Sequence, residues 1–368
     1  MNKELAYWVA TSAIGGVGTV TFSYLRKSFK TLKKFWEADN GEINKLKIDT
    51  KTKASIIDFR NNIDPQIYLE KVYAMGIKVV SMVDREYPAN LRQINGCPPV
   101  LYYKGTILPS DDLAVAVVGS RNATPYGRQV TERLVFDLVK NWLTIVSGLA
   151  RGIDSVAHRA ALDSNGRTIA VLGCGVDLIY PAENKKLAEE IARSGAVVSE
   201  FPLGFPPVQS NFAARNRIIS GISLGVLVTE AAIDSGSMIT AGCAADQGRE
   251  VFAVPGPITA KTAEGVNKLI KEGVHPTTEV ADVLEVLDIE RKKQQEISRA
   301  FLRKSKKQEV GPRDKDQHEI LELLDGGTKQ VDSISRELKL PVEKVTAALS
   351  LMELSGFVKN YGSGIWGV

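Results

Sequence analysis

The chain has few of the residues that build covalent or metal frameworks. Its 368 residues include three cysteines, Cys97, Cys174 and Cys243, and three histidines. The cysteines are scattered and form no CxxC pair, which argues against a disulfide framework or a zinc site and fits a reducing cytosol. No apolar run reaches membrane-spanning length, and no basic region followed by an apolar block and a cleavage site opens the chain, so a cytoplasmic protein is expected. The missing motifs are as informative. There is no GxxxxGK[ST], which argues against an ATPase loop, and no GxGxxG opening a helix after the first strand, which argues against a dinucleotide oxidoreductase. No Ser-His-Asp or Cys-His set stands out. His158 follows Asp154 by four residues in a helical pattern, a spacing that suits a helix-surface hydrogen bond better than a catalytic dyad. No metal, no cofactor and no catalytic residue is expected. A net charge of +4 permits an anionic partner without demanding one.

The length allows two or three domains. Residues 1–105 read as a mostly helical N-terminal domain plus a connection into the next unit. Within it Ile14-Gly15-Gly16-Val17-Gly18 fits the turn of a helix-hairpin-helix, where glycines expose N–H groups that can hold a phosphate, and it fits a plain helix turn equally well. The prolines of "GCPPVLYYKG" (96–105) make that stretch an extended connection.

Residues 106–288 alternate strand and helix. The strand candidates "LAVAVVGS", "LTIVSG", "RTIAVLG", "AVVSEF", "LGVLVTEA" and "EVFAVPG" are short, rich in Val and Ile, and nearly continuous in apolar residues, as strands covered on both faces are. Helical patterns such as "YGRQVTERLVFDLVKNW" separate them, so an α/β fold with a doubly wound parallel sheet is expected. Residues 289–315 are rich in Lys and Arg and read as a solvated basic linker. In residues 316–368, "HEILELLDGG", "VDSISRELKL" and "PVEKVTAALSLMELSGF" give three helices and "FVKNYGSGIWGV" a hairpin, the layout of a winged helix.

Ligands of an open parallel sheet bind beyond the carboxyl ends of the strands. Here those ends carry Gly119-Ser120-Arg121, Gly148 and Arg151, Gly173 and Gly175, Glu200, Glu230, and Ser235-Gly236-Ser237. Glycine, serine and arginine at several strand ends together describe an edge suited to phosphates, although any one of these glycines could serve a tight turn alone. The stretch "NFAARNRIISG" (211–221) belongs to the same edge. At about 100° per residue, Ile218, Ile219 and Ile222 define a face that packs on the sheet. Arg215 falls on that face one turn earlier, Phe212 and Asn216 sit at its border, and Arg217 points nearly the opposite way. An unpaired arginine is too costly to bury, so Arg215 is expected to reach over the rim toward Arg121; an ion pair with Glu200 or Glu230 is the alternative. Phe212 beside arginines is a recipe for single-stranded nucleic acid, with rings stacking on bases and cations taking phosphates; a core or staple role for the ring is equally open.

The same segments resemble the DprA/Smf family of DNA-processing proteins. The resemblance rests on "VVGSRNATPYG" (117–127), "IVSGLARGIDSVAHRAAL" (145–162), "TIAVLGCGVDLIYPAEN" (168–184), "VVSEFPLG" (197–204), "FAARNRIISGISLGVLVTEA" (212–231) and "SGSMITAGCAADQGREVFAVPG" (235–256), in family order. It implies an extended Rossmann-like domain between a small helical domain, helix-hairpin-helix or SAM-like, and a winged-helix tail. It implies a non-catalytic, dimeric binder of single-stranded DNA that protects incoming strands and delivers the recombinase RecA onto them during natural transformation and recombination, with a single-stranded-DNA-binding protein as a further partner. The family's Gly-Ser-Arg turn maps to Gly119, Ser120 and Arg121, and its Arg-Asn-Arg to Arg215, Asn216 and Arg217. Ala213 departs from the proline usual after the Phe. The candidate recognition helix of the tail carries only Glu343, Lys344 and Glu353 as charges, a poor phosphate surface that favours protein contact over DNA reading. A related superfamily of phosphoribohydrolases offers an enzymatic alternative, but their PGGxGTxxE loop is here replaced by "TEAAIDSGSMITA".

Overall fold

The structure, a computed structural model, describes residues 3–289, 315–324, 327–354, 357–362 and 364–367. The chain divides into two compact units, residues 1–289 and 290–368.

The first unit opens with six helices, Lys3–Ser12, Thr19–Phe29, Leu32–Glu37, Asn40–Asn44, Thr50–Asn62 and Pro65–Ala74. Side-chain caps fix four of the starts. Thr31, Asp39, Asp49 and Asp64 each accept a backbone N–H of the first turn, and Glu42 closes a capping box with Asp39. Their apolar faces, among them Trp8, Phe22, Phe35, Ile56 and Leu69, join Tyr102, Ala170, Leu172 and Val197 of the sheet in one core.

The sheet has nine strands: β1 (Lys78–Ser81), β2 (Val100–Gly105), β3 (Ala114–Gly119), β4 (Thr144–Ser147), β5 (Thr168–Val171), β6 (Ala196–Ser199), β7 (Gly225–Glu230), β8 (Glu250–Ala253) and β9 (His275–Pro276). Their spatial order is β1-β2-β6-β5-β4-β3-β7-β8-β9, parallel from β6 to β9. Helices on both faces bury β3 to β7 almost completely, which explains why the middle of each strand is apolar without alternation, with polar residues such as Thr144, Ser147 and Glu230 confined to the ends. The six strand candidates of the sequence therefore all form. The order of strands reverses between β3 and β7, where Gly119 pairs with Glu230, so the edge beyond these two strands is the switch point.

The N-terminal region departs from the sequence reading. β1 and β2 lie in residues expected to be mostly helical, and "PVLYYKG" is not a free connection: β2 pairs antiparallel with β6 and with β1. The sheet thus begins at residue 78, not beyond 105. β1 is only four residues long and follows directly on a helix, so its apolar pair Val79-Val80 carries no period that tells strand from helix.

In the second unit, helices Lys315–Leu324, Val331–Leu338 and Val342–Leu354 pack Ile320, Leu324, Ile334, Val345, Leu349 and Met352 against Trp366. Three short strands, β10 (Lys329–Gln330), β11 (Lys359–Asn360) and β12 (Ile365–Gly367), pair antiparallel in the order β10-β12-β11. This is the winged-helix arrangement. The expected basic linker, 289–315, lies outside the described residues except at its two ends.

Candidate nucleic-acid interface

The helix Gln209–Ile222 lays Ile218, Ile219 and Ile222 on the sheet, and this places Phe212 and Arg215 at the ends of β4 and β5. Phe212 is half-buried. Its ring lies directly on Gly173, where a Cβ would come within 2.8 Å of Phe212 Cδ1. Only glycine allows the ring to sit this close to the chain. The ring of Tyr180, itself half exposed, packs 5.4 Å from Phe212 at an interplanar angle of 37°. The Arg121 and Arg215 guanidinium carbons each lie 5.9 Å from the Phe212 ring centroid. Phe212 is therefore neither core nor free: two cations and a second ring surround it at the strand ends.

The two arginines differ in all else. Arg121 is exposed, and among the described residues no carboxylate pairs with it. Arg215 is only 4% exposed. Its Nη1 donates to the carbonyl of Gly148, at 2.6 Å, and to that of Val171, the first carbonyls beyond β4 and at the end of β5. A Cβ at Gly148 would lie 2.5 Å from Arg215 Nη1 and 2.7 Å from Asp154 Oδ2, so the two charges face each other across this glycine. The expectation that Arg215 avoids burial is thus corrected. Carbonyls and an opposing carboxylate, which the sequence reading did not assign to it, offset its loss of water. Burial draws its pKa down to about 10, against the pull of Asp154, and the Arg121 charge adds to the lowering.

Asp154 and His158 do not bond to each other, which also corrects the sequence reading. Asp154 accepts the N–H groups of Gly148 and Ala150, and burial raises its pKa against the charge of Arg215. His158, fully buried, shares a 2.7 Å hydrogen bond between Nδ1 and Thr168 Oγ1; burial, and then the Arg215 charge, draw its pKa down to about 3. The pair is part of the floor beneath the edge, not a helix surface.

Several further candidates are already engaged. Ser120 N–H donates to Glu230 O at 2.7 Å, and Ser120 Oγ accepts the Asn122 N–H. Gly148 spends both backbone groups, on Asp154 and Arg215. Gly175 N–H donates to Phe205 O. These amides are structural bonds within the edge rather than open donors. Arg151 is exposed and held by Glu183 through Nε at 2.5 Å and Nη2 at 2.9 Å. Arg217 does point away, and it pairs with Glu200 at 2.5 Å. The carboxylate proposed for Arg215 thus belongs to Arg217, while Glu230 accepts the Thr124 N–H. Burial pushes the Glu200 carboxyl up, against the charge of Arg217. Asn216 is buried and donates from Nδ2 to Gly236 O. Ser235 caps the helix Gly236–Asp246 and shares a hydrogen bond with Ser237 Oγ, while Gly236 is exposed with open space on its side-chain side.

Tyr180 and Asp154 were not among the sequence candidates. Tyr180 stands in "GCGVDLIYPAEN" beyond β5, and an aromatic in a strand-end loop was the signal available. A second ring pair, Phe201 and Phe205, stacks at 5.0 Å beyond β6.

Comparison with known proteins decides the family. A family model described as DNA recombination-mediator protein A matches residues 78–288. The chain belongs to the DNA recombination-mediator protein A (DprA/Smf) family. The DprA winged helix domain model matches residues 304–362. Smf of Synechocystis sp. is 42% identical over 277 residues, covering 74% of this chain and 70% of that protein. DNA processing protein DprA of Streptococcus pneumoniae is 45% identical over 204 residues, covering 55% and 72%. The solved DprA structure from Streptococcus pneumoniae superposes with a TM-score of 0.66 at 36% identity, over 77% of this chain and 98% of that one. DNA processing protein A of Helicobacter pylori, described for its single-stranded DNA binding mode, gives 0.52 at 32% identity, over 57% and 95%. The DprA/Smf family match begins at residue 78, where β1 begins.

Proposed function

We propose that this protein binds single-stranded DNA along the strand-end edge, without cleaving it, and hands the strand to a recombinase. The observation that carries the reading is the cluster of Phe212, Tyr180 and Arg121 over Gly173. Two rings stand ready for bases and one unpaired guanidinium for a phosphate, which is the combination single-strand binders use. The single-stranded DNA binding mode described for the Helicobacter pylori relative supports it. Arg121, Phe212, Tyr180 and the Ser235-Gly236 turn, exposed at Gly236, contact DNA. Arg215, Gly148, Gly173 and Asn216 build the floor that holds them. Arg151 and Arg217 reach DNA only by leaving Glu183 and Glu200.

The family's description as recombination mediators supports RecA as the recombinase, in the cytoplasm, during transformation or homologous recombination. A homodimer, a single-stranded-DNA-binding protein as further partner, and a protein-contact role for the winged helix complete the proposal. Among the described residues no helix is long and apolar enough to cross a membrane. The test is fluorescence anisotropy with labelled oligo-dT beside a nucleoside-monophosphate hydrolysis assay. Tight oligo-dT binding without turnover is the expected result; turnover without DNA affinity would instead establish the phosphoribohydrolase alternative.

A further inference from the structure

The N-terminal helices carry a charge that the strand-end edge does not use. Between residues 26 and 53, nine lysines and arginines stand against four carboxylates, a local excess of five in a chain whose net charge is +4. Lys27, Lys45, Lys47 and Lys51 are exposed, and none pairs with a carboxylate among the described residues. Two contacts bring the segments that carry them together. The Lys47 N–H donates to Tyr24 Oη at 3.1 Å, and Lys27 follows Tyr24 by three residues on the helix Thr19–Phe29, hence on the same face. A Cβ at Gly16 would lie 2.7 Å from Thr52 Oγ1, which sets the Gly15–Gly18 turn against the helix start that bears Lys51. At Gly15 and Gly18 nothing lies within 4 Å of a Cβ, so the backbone there is open.

The rings of this region, by contrast, are withdrawn. Trp8, Phe22 and Phe35 are buried, and Tyr24, Phe29 and Trp36 are half-buried, with the Tyr24 hydroxyl and the Trp36 Nε1 engaged. A surface with cations and no exposed ring, unlike the strand-end edge with its exposed Tyr180, draws its affinity chiefly from phosphates. Duplex DNA offers phosphates with its bases turned inward, and suits such a surface. We propose that the lysines beside the Gly15–Gly18 turn form a second DNA-binding surface, which takes the backbone of duplex DNA without regard to sequence. It lies in the same compact unit as the strand-end edge, so one molecule can engage a single strand and a duplex together. The inference does not depend on the strand-end reading.

The experiment uses the full chain with Lys45, Lys47 and Lys51 changed together to Gln, and a control with Lys261, Lys268 and Lys271 changed to Gln. Binding to a 30-base-pair duplex and to a short oligo-dT is followed across a salt series. The expected result is weaker duplex binding in the first variant, with the slope of log K against log salt shallower by about 2–3, since each lost phosphate contact removes about 0.9. Its oligo-dT affinity stays at the parent value, and the control binds both as the parent does. Absence of duplex binding by the parent at low salt, an unchanged duplex slope in the first variant, or an equal loss in the control would each overturn the proposal. Arg121→Ala separates the two sites, because it lowers oligo-dT binding and leaves the duplex slope intact.

Discussion

Arg121 and Arg215 flank one ring, each with its guanidinium carbon 5.9 Å from the centroid of Phe212. Two like charges about a single aromatic is a repulsive arrangement, and the lowered pKa of Arg215 records part of that repulsion. The ring's electron-rich face offsets some of it. Buried Arg215 is fixed by carbonyls, whereas exposed Arg121 is not. An anion arriving at this edge therefore meets one exposed, unpaired cation beside the ring, while the other is buried and held by carbonyls.

Arg121→Ala is expected to weaken oligo-dT binding at every base composition and to lower the salt slope by about 0.7, the share of one phosphate contact on a single strand. Anisotropy titrations at four salt concentrations read both quantities. A parallel downward shift with an unchanged slope would show that Arg121 meets something other than a phosphate.

Phe212→Ala and Tyr180→Ala are each expected to reduce oligo-dT affinity by about 1–3 kcal/mol, the usual worth of a ring stacked on a base. Because the rings touch, the double variant should lose less than the sum of the singles. Thermal melts accompany the titrations, since half-buried Phe212 also covers Gly173. Unchanged affinity in stably folded single variants would place the DNA elsewhere on the edge.

The fold was legible wherever a segment carried its own period. The six buried strands, β3 to β8, and the winged-helix elements announced themselves by continuous apolar runs or helical spacing. β1 and β2 did not, because β2 joins the sheet by long-range pairing to β6 and β1 only by pairing to β2, and antiparallel edge pairing leaves little mark in four to six residues. In the site, the isoleucine face correctly placed Arg215 at the strand ends. What the sequence could not show was its partners. Two of these are backbone carbonyls, contributed by the end of β5 and the residue after β4, 44 and 67 positions away, and the carboxylate that faces it, Asp154, had been assigned by spacing to His158. Helical spacing reports neighbours on one helix; a buried charge finds its partners across the sheet.

Arg215→Ala is accordingly expected to act first on stability. It leaves Asp154 buried without its countercharge and two carbonyls without their donor, a loss of about 3–5 kcal/mol by comparison with other buried charges stripped of a partner. Arg215→Lys should recover only part, because an ammonium cannot present the guanidinium's fixed fork to both carbonyls. Urea denaturation of the parent, Arg215→Ala, Arg215→Lys, Arg215→Met and the double variant Arg215→Met with Asp154→Asn measures this. The double variant should be more stable than Arg215→Met alone. A parent-like midpoint for Arg215→Ala, with oligo-dT binding lost, would make Arg215 a phosphate ligand instead.

The buried imidazole gives the last prediction. His158 has its pKa drawn down to about 3 in the folded protein, from 6.5. The unfolded chain thus takes up a proton on His158 at pH values where the folded protein does not, and protonation favours unfolding. The contribution of His158 to stability is complete above about pH 6.5 and falls as the pH drops from there toward 3, by up to about 1.4 kcal/mol per unit. Asp154 and Glu200 act oppositely, because burial raises their carboxyl pKa values and acid then favours the folded state. Comparing the parent with His158→Gln cancels those carboxyls. The stability difference between the two, from urea midpoints at pH 7.5, 6.0 and 5.0, should shift in favour of His158→Gln as the pH falls. A difference constant across that range would mean that His158 remains unprotonated in both states or protonates freely in the folded one.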